Sequence, residues 1–490
     1  CLSWKIMVMS KRANPVTAWE DRIPLRQKSA SAVGIFVNNL QAAALPAMVV
    51  ILNLGLGMDP VLVGLIASIP RVFDAISDPM IGYISDNTRT RWGRRRPFIF
   101  AGALLSGLVF ALMWQLHEGR SESFYFWAFL TASIIFFLAY TLYATPFVAF
   151  GYEMTADYHE RTRLHAFANT VGQLAWLGVP WFYAIMANPR LFRDTVHGAR
   201  TLAIVVGIAV AVLGIVPAVF CRERTVLLPQ TEDRRGVWKK TLEFLKGIVV
   251  TFRCMPFVRI CAATFLVFNG FQLGMSFSIY VMIYYLFGGD DEAAGKLLGW
   301  FGMLTSIATL GVIPLTGWIA TRVGKRKTFL MTISLSLLGY TVKWFGYNPA
   351  HPYYLLLAAP LVAFGTGSLF TLMGAMISDV CDYDELTTHE RREGVFGAIY
   401  WWMVKIGMAL AGLLTGVMLQ QSGFDVDLAG EQSPSTLYRL RVFDVGVPLI
   451  TSAAAILIMW GYQLTEQKMH EVRTQLEQRR GKLASPAEPV

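Results

Sequence analysis

Two aspartates four residues apart, Asp74 and Asp78, interrupt a stretch that is otherwise suited to hydrocarbon. The upstream segment 60–70 is almost wholly apolar, and the i, i+4 spacing places both acids on one face of a helix. If that helix meets water near Asn87, then at 1.5 Å per residue Asp78 and Asp74 lie roughly 14 and 20 Å along it, astride the middle of a core about 30 Å thick. A charge at that depth costs roughly 2.5–3.5 kcal/mol on insertion scales, so a pair of them demands a function. Pro79 lacks an N–H, which deprives the Ala75 carbonyl of its helical donor. Two carboxylates, a freed carbonyl and the Ser77 hydroxyl form a set of hard oxygens suited to a small cation. Carboxylates this close also oppose each other's ionisation, which suits a proton as well. The plainer alternative is an acid pair bonded to Arg71 and to backbone that only joins helices. A second charge, Lys405, stands well inside a late apolar run, YWWMVKIG. There it would compete with a cation for the carboxylates; the alternative is a lysine snorkelling to the interface.

Charges of this kind imply a membrane around them. The 490 residues are 54% hydrophobic and 16% charged, with mean hydropathy +0.47. The apolar residues fall in about twelve runs, each near the ~20 residues that cross a bilayer as a helix. These are 30–53, 60–84, 98–116, 124–148, 165–187, 201–220, 258–287, 296–320, 328–346, 354–378, 395–420 and 444–464. The expectation is an all-α membrane protein with twelve transmembrane helices; the alternating short segments of an outer-membrane barrel are absent. The net charge of +10 sits in loops, which bears on topology rather than on nucleic acid. Basic residues cluster before the first run and after the second, sixth and eighth, predicting cytoplasmic termini and a cell inner (plasma) membrane location. The polar stretch Ser10–Lys28 leads straight into a long apolar run, which predicts no signal peptide.

The chain also repeats itself. Gly82…Arg91-Trp92-Gly93-Arg94-Arg95 is echoed by Gly317…Arg322-Val323-Gly324-Lys325-Arg326, and His159-Glu160-Arg161 by His389-Glu390-Arg391. Two echoes at one offset predict two six-helix halves in the same orientation. The expected organisation is a cytoplasmic segment 1–29, a bundle 30–220, a linker 221–257, a second bundle 258–464 and a cytoplasmic tail 465–490. In the linker, Trp238, Leu242, Leu245, Val249 and Phe252 share a helical face, predicting a helix on the inner membrane surface. The basic turns carry Arg91, Arg94, Arg95 and Arg322. They fix topology or pair with Asp86, Glu153, Asp157, Asp379, Asp382 and Glu390 to gate the inner side. The run Asp382–Glu385 otherwise reads as a solvated turn. No P-loop, dinucleotide fingerprint or histidine-rich metal motif occurs, and the five cysteines show no metal or disulfide spacing. Neither an enzyme nor a bound cofactor is expected, nor any metal beyond Na+.

RVFDAISDPMIGYISDNTRTRWGRRRPFI and MISDVCDYDELTTHERREGVFGAIYWWMVKIG resemble the helix 2 and helix 10–11 regions of the glycoside–pentoside–hexuronide:cation symporters, in the major facilitator superfamily. The resemblance runs from about Ala30 to Tyr462 and implies that fold, alternating access, and symport of a glycoside or sugar with Na+ or H+. It implies that Asp74 and Asp78 serve the cation, with Thr141 matching a helix 4 threonine that helps, and that Lys405 faces the cavity. The family's sugar-binding acids on helices 1 and 4 and its arginine on helix 5 become Asn39, Ala144 and Asn169, and a helix 4 aromatic becomes Val148. The pocket is therefore expected to be less polar, with Tyr140, Tyr143, Gln173, Trp176, Trp401 and Trp402 as further lining candidates. A lipid or lysolipid carrier, or a sensor, on the same fold is the alternative. The expected partners are a small-molecule solute and the bilayer, with the chain a monomer.

Overall fold

The computed structural model describes residues 22–117, 119–154, 158–222, 251–389, 393–428 and 430–480. The linker helix expected from Trp238 to Val249 lies outside the described residues, as do Asp157 and Glu390. Among those described, the chain is helical, with one isolated extended bridge between Thr90 and Gly93. The first half contains α1 (Leu25–Met48), its short continuation α2 (Val50–Leu54), α3 (Pro60–Asn87), α4 (Arg96–Met113) and α5 (Glu122–Glu153). It goes on through α6 (Tyr158–Gly178), a 3-10 turn at Val179–Trp181, α7 (Phe182–Met186) and α8 (Thr195–Phe220). The second half contains α9 (Met255–Tyr280), α10 (Asp291–Val323), α11 (Lys325–Gly346), α12 (Ala359–Thr388) and α13 (Glu393–Ser422). The short α14 (Pro434–Arg441) and α15 (Val447–Trp460) complete it, and α16 (Glu466–Arg480) follows.

Ten candidate spans among these are long and apolar enough to cross a membrane. Two further helices fall short for visible reasons. The first, α6, opens on the polar Tyr158-His159-Glu160-Arg161, and α11 opens on Lys325-Arg326-Lys327 and holds Lys343. Both nonetheless pack inside the bundle, α6 along α1 and α11 along α12. The run expected over 165–187 is broken at Pro180, which enforces the 3-10 turn between α6 and α7. The expected turn at Asp382–Glu385 is instead helical. Nothing in that stretch breaks a helix, and α12 ends only at His389, in the left-handed conformation at φ 63°.

The two halves follow one plan. Pairs α1·α6, α1·α8, α3·α5, α4·α5 and α4·α8 recur as α9·α13, α9·α15, α10·α12, α11·α12 and α11·α15. Counting α6 and α11 with the ten candidate spans, twelve passes among the described residues return the chain to the face on which α1 began, called here the terminal face. There Glu160 is buried and accepts from the Ile23 N–H (3.1 Å) while pairing with Lys28 (2.6 Å). Burial raises the pKa of this carboxyl, but the bonds from Lys28 and Ile23 outweigh it and hold the group below its ordinary value. At the opposite face, polar side chains cap the helix starts. Asp59 accepts from the Val61 N–H (2.8 Å), Asp194 from His197 (2.6 Å) and Asp290 from Ala293 (3.0 Å).

The halves meet most closely where α3 runs along α13. A methyl placed on Gly64 would sit 2.8 Å from the Gly412 carbonyl, and one on Gly416 would collide with the Pro60 carbonyl. Backbone therefore lies on backbone, the packing that small residues allow in membranes. Toward the same face, Tyr280 donates to Asn53 (3.1 Å) and Tyr183 to Asp291 (3.0 Å) across the halves. Gly416→Leu is expected to hold this seam apart. A cysteine introduced at Asn53 would then react severalfold faster with a membrane-impermeant maleimide than in the parent; an unchanged rate would refute the seam's role in closure.

Candidate cation and solute site

Helices α3 and α5 present their polar residues in register. Thr141 donates to Asp74 Oδ1 (2.7 Å), and one turn further Thr145 donates to Asp78 Oδ1 (3.0 Å). Ser77 Oγ lies 3.2 Å from the Asp74 carbonyl and 3.3 Å from Thr141 Oγ1. From the other half, α13 delivers Lys405, whose ammonium is 2.8 Å from Asp74 Oδ2 and also contacts Asp78 Oδ2. One cation thus bridges two carboxylates across the seam. The acids differ in access: the Asp74 side chain is 1% exposed, Asp78 35% and Lys405 24%. Ser68, nearer the opposite face, donates to the Ala409 carbonyl (2.6 Å) and closes the seam above the site. Access to the pair is therefore from the terminal face. Arg71 is buried, with its guanidinium 4.7 Å over the Phe137 ring and within the field of Asp74.

The solute candidates spread along the first half. Asn39 donates to the Gly172 carbonyl (3.0 Å), which ties α1 to α6. Asn169, Gln173 and Trp176 share a face of α6, with Asn169 and Trp176 exposed and Gln173 half-buried. Tyr140 stacks on Phe136 at 6.3 Å. Tyr143 departs from expectation. It is fully buried, donates to the Gly34 carbonyl (3.0 Å) and stacks on Phe147, so it braces α1 against α5 rather than lining a path. Ala144 is half-buried and Val148 is exposed. In the second half Trp401 is 56% exposed and lies parallel to Phe370 at 6.0 Å, and Trp402 is half-buried.

Of the gating candidates, Asp379 and Arg322 have described partners, and both partners lie within the second half. Asp379 takes both bonds from Lys325 (2.7 Å each), which also donates to the Ala375 carbonyl (3.0 Å), so this pair lies within the second half. Gly324, at φ +85°, turns the chain so that Lys325 rather than Arg322 meets α12. Arg322 stacks 4.3 Å over Trp318 instead. Arg91 is exposed, Arg94 and Asp382 are half-buried, and Arg95 is buried. The side chains of Asp86 and Glu153 lie outside those described.

Two features had no counterpart in the sequence reading. One is Thr145. The other is a buried cluster in the second half, where Asp444 accepts from Lys343 (2.7 Å), Ser278 (2.7 Å) and Tyr347 (2.6 Å). The signal for the latter was Lys343 in LGYTVKWFGY, an intramembrane cation near a span end.

A family profile described as MFS/sugar transport protein matches residues 31–466. The chain is similar to an isoprimeverose transporter of Lactiplantibacillus pentosus, 25% identical over 82% of this chain and 81% of the relative. It is similar to a glucuronide carrier protein homologue of Escherichia coli, 26% identical over 86% and 89%. Its fold resembles a bacterial homologue of the human lysosomal transporter Spinster, TM-score 0.63 at 14% identity over 95% of this chain and 99% of that one. It also resembles a D-xylose–proton symporter, TM-score 0.59 at 14% identity over 89% and 97%. With two matching six-helix halves and a match over nearly all of both, the chain belongs to the MFS/sugar transport protein family: it is a multi-pass membrane transporter of small solutes, not an enzyme, of the glycoside–pentoside–hexuronide symporter type.

Proposed function

We infer that the protein couples uptake of a glycoside-type solute to an inward cation gradient by alternating access. The observation that carries this is the single Lys405 ammonium held between Asp74 and Asp78, each of which also accepts a threonine hydroxyl. An internal cation in that position stands where a coupling Na+ or H+ would go. Arrival of the coupling ion frees Lys405, which belongs to the other half, so occupancy alters the attraction between halves. By reciprocity, solute that favours the ion-bound arrangement is itself bound more tightly when the ion is present. Asn169, Gln173 and Trp176 on α6 and Trp401 on α13 supply the solute surface, amides for hydroxyls and indoles for the apolar faces of a sugar. The basic turns support a terminal face in the cytoplasm of a cell inner (plasma) membrane, with the chain working as a monomer.

The test is uptake into proteoliposomes. Radiolabelled glucuronides and isoprimeverose, the solutes named for the relatives, are offered under an inward Na+ gradient, an inward H+ gradient or neither. Accumulation above equilibrium under one gradient is expected. Equal uptake under all three, or binding only of lysolipids, would overturn the reading.

A further inference from the structure

The hydroxyls of α5 match the acids of α3 rung for rung. Asp74 and Asp78 are four apart, Thr141 and Thr145 are four apart, and both bonds span 67 residues of sequence. The deep rung is sealed, with Asp74 at 1% exposure. The second rung, Asp78–Thr145, is the one a cation reaches first from the terminal face. At the deep rung, the buried Asp74 Oδ2 is met by the Lys405 ammonium at 2.8 Å, so this oxygen is already turned toward a cation.

We propose that Thr145 determines the coupling ion, making the pair of rungs a site for an alkali metal cation of sodium size rather than for a proton. This rests on the proposed cation role of Asp74 and Asp78. A threonine hydroxyl has one donor and two acceptor positions. Thr145 spends its donor on Asp78, which leaves its lone pairs for a metal ion. Together with Thr141 and the two carboxylates it completes a set of hard oxygens on two rigid helices. The same bond has the opposite effect on a proton. A donor to a carboxylate favours the anion, so the Thr145 O–H competes directly with protonation of Asp78. A proton needs one oxygen, whereas a metal ion gains from each additional one.

Removal of the hydroxyl should therefore act with opposite sign on the two ions. In purified full-length protein, the thermal midpoint is titrated with NaCl against choline chloride at fixed pH, then against pH without sodium. Thr145→Val is expected to raise the sodium concentration for half-maximal stabilisation about tenfold and leave the response to acid equal or stronger. Thr145→Ser, which keeps the hydroxyl, should stay within about twofold of the parent. A Thr145→Val protein with the parent's sodium dependence would overturn the proposal, as would equal weakening of both responses, which marks a packing role. A parent protein that responds to acid but not to sodium would overturn it too. A parent that responds to neither overturns the cation role itself, a result distinct from the others.

Discussion

Asp78→Asn is expected to abolish accumulation of solute against its gradient while leaving exchange of solute across the membrane measurable. Asparagine preserves shape and can still accept the Thr145 hydrogen bond, so α3 and α5 keep their register. The loss is one negative charge at a point where the carboxylate is shared between a threonine and the ammonium from the other half. Lys405 then settles on Asp74 alone, 2.8 Å away, and the site no longer prefers an incoming cation to its own lysine. Concentrative uptake should drop at least tenfold, to the level set by equilibration. Asp74→Asn should be as severe, and it should also lower stability, because Asp74 is buried and Lys405 loses its deeper partner. The measurement is proteoliposome uptake with and without a cation gradient, beside counterflow in its absence. Full gradient-driven accumulation in Asp78→Asn would end the coupling account.

Asp444→Ala is expected to have the largest effect on stability. Lys343 and Asp444 are 2% and 0% exposed, 2.7 Å apart, and every oxygen of the carboxylate is engaged by Lys343, Ser278 or Tyr347. Removing one member strands the other charge, a loss of roughly 3–5 kcal/mol for buried pairs. Replacing both with apolar residues of similar volume, Lys343→Met with Asp444→Leu, strands nothing and should recover most of that loss. Thermal melts of the parent, Lys343→Met, Asp444→Leu and the double variant in one detergent form the required cycle, with Asp444→Ala melted beside them. A double variant as unstable as Asp444→Ala would show that the pair does more than neutralise itself.

The parts of this site visible in the sequence are those that violate the membrane's rules. Asp74, Asp78 and Lys405 stand out because charge in hydrocarbon is costly, and no folded contact is needed to notice it. Thr145 violates nothing. A threonine in an apolar helix bonds its own backbone as readily as a neighbour, and only the packed register of α3 on α5 reveals its partner. Asp444 was hidden differently. It lies at a span end, where acids are ordinary, and its lysine is 101 residues away. Tyr143 misled because aromatic side chains serve packing and binding with the same chemistry, and burial alone separates the two. The order of helices and the doubling were legible because hydropathy and repeated turns are local. The break at Pro180 was signalled by the proline but masked by the surrounding apolar run.

The bare-backbone seam between Gly64, Gly412 and Gly416 has a bearing on how easily this machine swings. When those segments part, what is forfeited among the described residues is dispersion, the hydrogen bonds of Tyr183 to the Asp291 carboxylate and Gln420 to the Asp59 carboxylate, and neutral bonds such as Tyr280 to Asn53, the last worth about 1 kcal/mol net. For a hinge near balance, a preference of about 5.5 kcal/mol is enough to carry a population from almost wholly one side to almost wholly the other. On the proposed coupling, differential binding of solute and ion to the two arrangements would supply that tilt.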